Sequence, residues 1–294
     1  MLSHKICRFA LLSRNLRVAI ISARNIVTKD ASTSANTSTV DVKDVANYNK
    51  MAQNWWDLDG FMKPLHSLNT LRVPFIRDGI LATREVSADK IETSRVLEGI
   101  NILEVGCGGG FLTENLARLH ANVTGIDAGK DVIRAAERHV CQQSPDLLNR
   151  IQYKADTIEN FAKDNLERYD AVVLSEVVEH VENVPKFISS AVDTLKPGGS
   201  IFITTPNRTI PMLVTGIILA ENVFRIVPQG THQWNKFITP LEMQRILESL
   251  NCTTVLLNGF FYEFWRNTWR WVPVNDFCYA LQAVKRTDDS PEKV

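Results

Sequence analysis

Two carboxylates and an imidazole lie close together in the segment SEVVEHVENVP, at the end of a β-prone run. Glu179 and His180 follow Glu176 by three and four residues, so a helical turn would place all three side chains on one face. Three ligands can therefore converge there. His180 is also a candidate general base, provided that it is not a metal ligand. His232, in PQGTHQWNKF, is the second candidate base, with a structural histidine as the alternative.

A glycine-rich segment, EVGCGGG, lies between a predicted strand, NILEV, and a predicted helix, FLTENLARLHA. Gly106 and Gly108 stand where the backbone must approach a ligand closely. Asp127 ends the next strand, NVTGID, where an acidic side chain can accept hydrogen bonds from ribose hydroxyls. The loop and the acid together predict a site for a nucleoside cofactor.

The details of this loop favour a cofactor other than NAD. The NAD fingerprint is GxGxxG, and Phe111 stands where the third glycine would fall if counted from Gly106. Glu104, just before the loop, is an awkward neighbour for a pyrophosphate and a suitable one for a cationic amino-acid ligand. A dehydrogenase is therefore disfavoured.

Strands alternate with helices around these residues, which predicts a doubly wound α/β fold with a mostly parallel sheet. After the two strands and the helix above, the predicted order is KDVIRAAERHVCQQ as a helix, IQYKAD and YDAVVLSEV as strands, VPKFISSAVDTL as a helix and SIFITTP as a strand. An aromatic segment (48–75) precedes the first strand, and an apolar segment (208–238) precedes a final β-rich section. Both would cover the crevice at the carboxyl edge of the sheet.

Composition limits the classes of protein that fit. A chain of 294 residues with 45% hydrophobic content builds one substantial core. Lys plus Arg and Asp plus Glu both total 33, so no polyanion-binding field is expected and nucleic acid is a poor candidate partner. The five cysteines are scattered and never spaced CxxC, which argues against a disulfide framework and a zinc site.

The N-terminal thirty residues are basic, with no acidic residue before Asp30. This composition predicts a mitochondrial transit peptide over residues 1–30, with a disordered basic arm as the alternative. The remaining boundaries that we predict are a flexible linker (31–44), an N-terminal helical cover (45–97), a catalytic domain (98–288) containing an apolar insertion (208–238), and a disordered tail (289–294). No window approaches the ~20 unbroken apolar residues of a membrane-spanning helix.

The ordered elements EVGCGGG, GID, AD, DAVV and LKPGG resemble class I S-adenosylmethionine-dependent methyltransferases. The resemblance implies a Rossmann-like, seven-stranded sheet. It also implies that Gly106, Gly108 and the neighbouring backbone hold the methionine end of the cofactor, that Asp127 binds the ribose, and that Asp156 with Thr157 binds the adenine. A plain turn residue is the alternative for Asp156.

From about Tyr48 to Val284 the chain resembles one subfamily, the O-methyltransferases of ubiquinone biosynthesis, most specifically in NWWDLDGFMKPLHSLNTLRVPFI. The block departs from the family at Thr70, where many members carry proline. The resemblance implies that Arg72 reaches the cofactor at its carboxylate and that Ser175 touches the cofactor. A surface arginine is the alternative for Arg72.

The same resemblance implies that Glu176, Glu179 and His180 bind a divalent cation, with Mg²⁺ favoured, although this set would also accept Zn²⁺, Mn²⁺ or Fe²⁺. Acidic and histidine side chains that merely line the pocket are the alternative. Such a cation would stabilise the phenolate of a catechol substrate.

The resemblance implies methyl transfer to a catechol-type hydroxyl of polyprenylated dihydroxybenzoate and demethylubiquinol intermediates. Another small-molecule methyltransferase and a non-catalytic assembly subunit are the alternatives. We expect the protein in the mitochondrial matrix, peripheral on the inner membrane and within a multi-subunit biosynthetic complex. The apolar run in 210–227 is either a core helix or a membrane-dipping cover, and Trp265, Trp269 and Trp271 either wall the substrate pocket or pack in the core.

Overall fold

The computed structural model describes residues 39–215 and 234–287. The predicted transit peptide, most of the predicted linker, the tail from 289, the central part of the apolar insertion and His232 lie outside the described residues. None of the helices in the described ranges is long and apolar enough to cross a membrane.

One mixed sheet organises the described chain. Its strands are β1 (Asn101–Val105), β2 (Asn122–Asp127), β3 (Ile151–Ala155), β4 (Tyr169–Ser175), β5 (Leu195–Pro206), β6 (Cys252–Glu263), β7 (Thr268–Val272) and β8 (Cys278–Lys285). Their spatial order is β3-β2-β1-β4-β5-β8-β6-β7. Strands β1 to β5 pair in parallel, and β8, β6 and β7 continue the sheet in antiparallel fashion. The α/β doubly wound fold is confirmed.

The predicted number of seven strands is wrong for the described sheet, which has eight. The additional strand is β7, a short edge strand that pairs with β6 from Gly259 to Glu263. Its sequence, TWRWV, is rich in the β-branched and aromatic residues that suit a strand. It closes a hairpin in which Tyr262 lies opposite Trp269.

Nine α-helices are described. They are α1 (Val42–Met51), α2 (Lys63–Thr83), α3 (Ala88–Ile91), α4 (Phe111–Arg118), α5 (Lys130–Gln143), α6 (Ile158–Phe161), α7 (Val184–Asp193), α8 (Ile210–Met212) and α9 (Pro240–Ser249). Short 3₁₀ helices occupy Ala52–Asn54, Pro145–Leu147, Ala162–Asp164, Val178–His180 and Trp234–Lys236. The helices predicted after β1, β2 and β4 are present as α4, α5 and α7.

The sheet is buried on both faces. On β1, Ile102 belongs to one apolar cluster and Leu103 to the other, and neither side chain is exposed. Alternate residues of a strand point to opposite faces, so this near-continuous apolar run is what a doubly covered parallel strand requires. The order of strands reverses between β1 and β4, which places a crevice at their carboxyl ends.

Helix α2 brings a charged residue into the crevice on an otherwise apolar face. Leu68, Arg72, Phe75, Ile76 and Ile80 recur at helical spacing and are all buried. The helix packs against α4 and against strands β5 and β7. Gly79 permits this close approach, because a Cβ there would lie 2.5 Å from Cε1 of Phe202.

Candidate active site

The glycine loop between β1 and α4 has a backbone that only glycine adopts readily. Gly106, Gly108 and Gly110 have φ angles of +75°, +52° and +89°. A Cβ at Gly106 would lie 2.5 Å from Cγ2 of Val177, so the loop also needs the missing side chain for space. The predicted role of these glycines is consistent with this geometry.

Asp127, at the end of β2, ties the glycine loop to the following turn. Its Oδ2 accepts a hydrogen bond from the Gly108 backbone N–H at 3.0 Å, and its Oδ1 accepts one from Gly129 at 2.7 Å. Burial raises the pKa of Asp127, and the two backbone N–H groups oppose that rise. The carboxylate therefore stands beside the loop, where ribose hydroxyls can compete for its oxygens.

Glu104 is a buried carboxyl group beneath the loop. The Thr113 hydroxyl donates to its Oε2 at 2.5 Å. Burial raises the pKa of Glu104 to about 7, although Thr113 and the nearby Arg72 lower it. A positively charged ligand group in the cavity would be stabilised by this carboxylate at neutral pH.

Replacing Glu104 gives a prediction for the ligand-free protein. The pKa of the Glu104 carboxyl is about 7 in the fold against an ordinary value of 4.5, so the folded state holds the proton more tightly and stability falls as pH rises from about 4.5 to 7. We expect Glu104→Gln to remove this loss, which is worth roughly 3 kcal/mol above pH 7. Urea unfolding at pH 5 and pH 8 measures it, with the exposed Glu92→Gln as control. If the free energy of unfolding depended on pH in the same way in Glu104→Gln and wild type, the raised pKa could not belong to Glu104.

Arg72 is a buried cation that lacks a carboxylate partner in the described residues. Its Nη1 donates to Ser175 Oγ at 3.0 Å, its Nε to Asn69 Oδ1 at 2.6 Å and its Nη2 to the Leu65 carbonyl at 3.3 Å. The residue is only 5% exposed, and no ion pair within 4.0 Å is found for it in residues 39–215 or 234–287. Burial lowers its pKa. These contacts also confirm that Arg72 is not a surface arginine.

Asp156 and Thr157 follow β3 and line the same cavity. The Asp156 backbone N–H donates to the Asp127 carbonyl at 3.0 Å, which joins this turn to the end of β2. The Asp156 side chain accepts from the Thr157 N–H at 2.9 Å and pairs with Lys154 at 2.8 Å. Thr157 caps helix α6 through its side chain.

One cavity joins all seven residues that the sequence assigns to the cofactor. They are Arg72, Gly106, Gly108, Asp127, Asp156, Thr157 and Ser175. Glu176 and His180 also line it. Trp265, Trp269 and Trp271 do not line this cavity. They lie on the β6–β7 hairpin, where the Trp269 ring packs against the Phe260 ring at a centroid distance of 5.4 Å.

The predicted helical face of Glu176, Glu179 and His180 is wrong. Glu176 has a left-handed backbone with φ of +54°, and the helical turn is a 3₁₀ segment that begins only at Val178. Glu179 is buried and its Oε2 accepts from Thr205 Oγ1 at 2.9 Å. Burial is the main cause that raises the pKa of Glu179, and the negative charge of Glu176 raises it further. Across the two described ranges, no group of three or more His, Cys, Asp or Glu side chains is arranged to hold a metal ion.

His180 is held by two side chains of helix α1. Its Nδ1 lies 3.2 Å from Asp44 Oδ2, and its Nε2 lies 3.1 Å from the Tyr48 hydroxyl. The Tyr48 and His180 rings meet edge to face, with their centroids 5.4 Å apart. No role is predicted for Asp44 and Tyr48 in the sequence analysis; the signal for them is their four-residue spacing, which places both on one helical face.

The N-terminal end of α1 is fastened across the same cavity. Val40 forms a β-bridge with Val181, and the Thr39 carbonyl accepts from the Glu182 N–H at 2.9 Å. Asp41 caps the helix and pairs with Lys236. Helix α1 therefore covers the side of the cavity that contains His180.

This fold, with a glycine loop, an acid at the end of β2 and a buried arginine around one cavity, defines a class I S-adenosylmethionine-dependent methyltransferase. A family model described as methyltransferase domain matches residues 81–257. The fold is similar to that of magnesium protoporphyrin IX methyltransferase from Synechocystis PCC 6803 with bound SAM, with a TM-score of 0.53 and 16% identity, over 87% of this chain and 100% of that one.

The chain belongs to the ubiquinone biosynthesis O-methyltransferase family. It is 43% identical to the mitochondrial ubiquinone biosynthesis O-methyltransferase of Rattus norvegicus over 251 residues, which cover 85% of this chain and 71% of the relative. The mitochondrial protein of that name from Homo sapiens is 42% identical, with 88% and 69% covered. That from Chelativorans sp. (strain BNC1) is 37% identical, with 87% and 98% covered. The predicted family is confirmed.

Proposed function

We propose that this protein transfers the methyl group of S-adenosylmethionine to a catechol-type hydroxyl of polyprenylated dihydroxybenzoate and demethylubiquinol intermediates of ubiquinone biosynthesis in mitochondria. The observation that carries the proposal is the single cavity in which the glycine loop, Asp127 and the buried Arg72 meet His180. The names of the relatives support ubiquinone intermediates as the substrate class.

The residues fit the cofactor group by group. Arg72 is a buried guanidinium without a carboxylate partner in the described chain, and the cofactor's methionine carboxylate would supply one. Glu104 would face the cationic amino group, and Asp127 the ribose hydroxyls. The bound cofactor supplies the electrophilic sulfonium methyl; these residues hold it in one orientation, as in-line transfer requires.

His180 is the candidate proton acceptor for the substrate hydroxyl. Asp44, 3.2 Å from Nδ1, favours the tautomer with the proton on that nitrogen, which leaves Nε2 as the acceptor. Nε2 now meets a phenolic hydroxyl, that of Tyr48, at 3.1 Å, so the site already accommodates such a group. His232 stays a second, untested candidate for the base.

A role for Mg²⁺ is a separate proposal. Carboxylate oxygens are the ligands that Mg²⁺ prefers. Burial and the nearby charge of Glu176 both raise the pKa of Glu179, and a bound cation would offset the cost of keeping both carboxylates charged. The described side chains do not place Glu176, Glu179 and His180 as a ready three-ligand site. We therefore assign no step of the reaction to the cation.

We further propose a location on the matrix side of the inner membrane, in a multi-subunit complex. Ile210 is 73% exposed and Val214 39% exposed, at the beginning of the apolar segment 208–238. These side chains support a peripheral membrane contact that collects a polyprenylated substrate. Carbonate extraction of mitochondria is expected to release the protein, and its retention in the pellet would contradict a peripheral association.

The function is tested by methyl transfer from labelled S-adenosylmethionine to a short-chain polyprenyl dihydroxybenzoate, with the full-length protein, in EDTA and with added Mg²⁺. We expect a methylated product. Loss of turnover in EDTA with recovery in Mg²⁺ would support the cation, and EDTA-insensitive turnover would contradict it. No turnover despite S-adenosylhomocysteine binding would point to another acceptor or to an assembly subunit.

A further inference from the structure

Two adjacent tryptophans pack on the glycine loop in different ways. The Trp56 Nε1–H donates a hydrogen bond to the Gly109 carbonyl at 2.9 Å. The indole of Trp55 packs directly on the loop, since a Cβ at Gly108 or Gly109 would come within 2.4 or 2.2 Å of its atoms. The missing side chains of these two glycines therefore make room for the Trp55 ring.

The Trp55 Nε1–H has no acceptor in the described part of the protein. The residue is only 6% exposed, and its nitrogen is buried without a hydrogen-bond partner. A buried donor left without an acceptor is costly, and such groups in native structures call for an explanation. Trp55 lines the cofactor cavity, so an acceptor atom of a bound ligand can satisfy it.

Position and chemistry identify that acceptor. An indole N–H only donates, so it can meet the carboxylate of the cofactor's methionine end but not its ammonium group. Arg72 and Trp55 line the same cavity and both neighbour Phe111. Asn69, which holds Arg72, donates to the Phe111 carbonyl at 3.1 Å, and the Trp55 ring lies 6.0 Å from the Phe111 ring.

We propose that the Trp55 Nε1–H donates a hydrogen bond to the carboxylate of bound S-adenosylmethionine, beside the Arg72 guanidinium. Trp55 thus reads the amino-acid end of the cofactor, while Trp56 fastens the loop. The inference rests on the proposed use of this cofactor and is independent of the identity of the methyl acceptor.

The test compares two ligands in full-length protein by calorimetry: S-adenosylhomocysteine, which has the carboxylate, and 5′-methylthioadenosine, which lacks it. For Trp55→Phe we expect about tenfold weaker binding of S-adenosylhomocysteine, the effect of losing a hydrogen bond to a charged group, and unchanged binding of 5′-methylthioadenosine. Trp269→Phe is the control, because it removes an indole N–H that donates to the Pro64 carbonyl, outside the cavity.

A spectroscopic measurement reports on the hydrogen bond directly. The indole ¹H–¹⁵N resonance missing from the Trp55→Phe spectrum is expected to move downfield when S-adenosylhomocysteine binds to wild type, and not when 5′-methylthioadenosine binds. Wild-type affinity in Trp55→Phe, or equal weakening for both ligands, would overturn the proposal while leaving the function intact. Failure of the wild-type protein to bind either ligand would overturn the cofactor assignment and this inference with it.

Discussion

Arg72→Met is expected to weaken S-adenosylhomocysteine binding by about 100-fold or more. Removing one member of a buried, hydrogen-bonded charge pair costs about 2–5 kcal/mol, much of it from the charge left without its partner. In Arg72→Met the charge left without a partner would be the ligand carboxylate. In the wild-type protein Asn69 and Ser175 hold the guanidinium in the cavity, where it can pair with that carboxylate. Isothermal calorimetry measures the change directly.

Arg77→Met is the matched control for this prediction. Arg77 lies on the same helix, α2, but its side chain is 38% exposed, pairs with Asp78 and does not line the cavity. We expect its affinity to match wild type. Equal losses in Arg72→Met and Arg77→Met would show that the change acts through the helix rather than through a contact with the ligand.

His180→Asn is expected to lower kcat by about 100-fold or more, which is the usual contribution of a general base. Affinity for S-adenosylhomocysteine should stay near the wild-type value, since His180 is not among the seven residues predicted to hold the cofactor. Single-turnover methyl transfer with the polyprenyl dihydroxybenzoate separates these two quantities.

His120→Asn is the control for His180. His120 has a positive φ of 68°, which asparagine tolerates, and its ring contacts the Ser94 carbonyl rather than the cavity. We expect its kcat to be unchanged. A His180→Asn enzyme with wild-type kcat would exclude this histidine as the base and direct attention to His232.

Most of the central sheet could be predicted because its strands have an unambiguous sequence pattern. NILEV and YDAVVLS are apolar runs buried on both faces, and glycines or charged residues mark their ends. The hairpin of β6 and β7 is harder to predict, since buried, half-buried and exposed positions follow one another without a regular alternation and its pairing depends on a distant strand, β8.

The cofactor side of the site followed from local motifs, whereas the His180 side did not. Asp127 and the glycines occupy positions fixed by strand ends, so a motif locates them. Glu176 adopts a left-handed backbone, which glutamate rarely does. The helical spacing of Glu176, Glu179 and His180 therefore wrongly indicated that their side chains share one helical face. The contacts of Asp44 and Tyr48 with His180 join residues more than 130 positions apart, which no local pattern encodes.

Strand β8, from Cys278 to Lys285, pairs with β5 on one side and β6 on the other. The last strand of the described sheet to be synthesised is thus an interior strand. Until it emerges, β5 has an open edge and the β6–β7 hairpin has nothing to join, so the nascent chain exposes unpaired backbone to other chains. A premature stop codon before Cys278 would therefore do more than shorten the protein: it would leave the sheet divided into two parts.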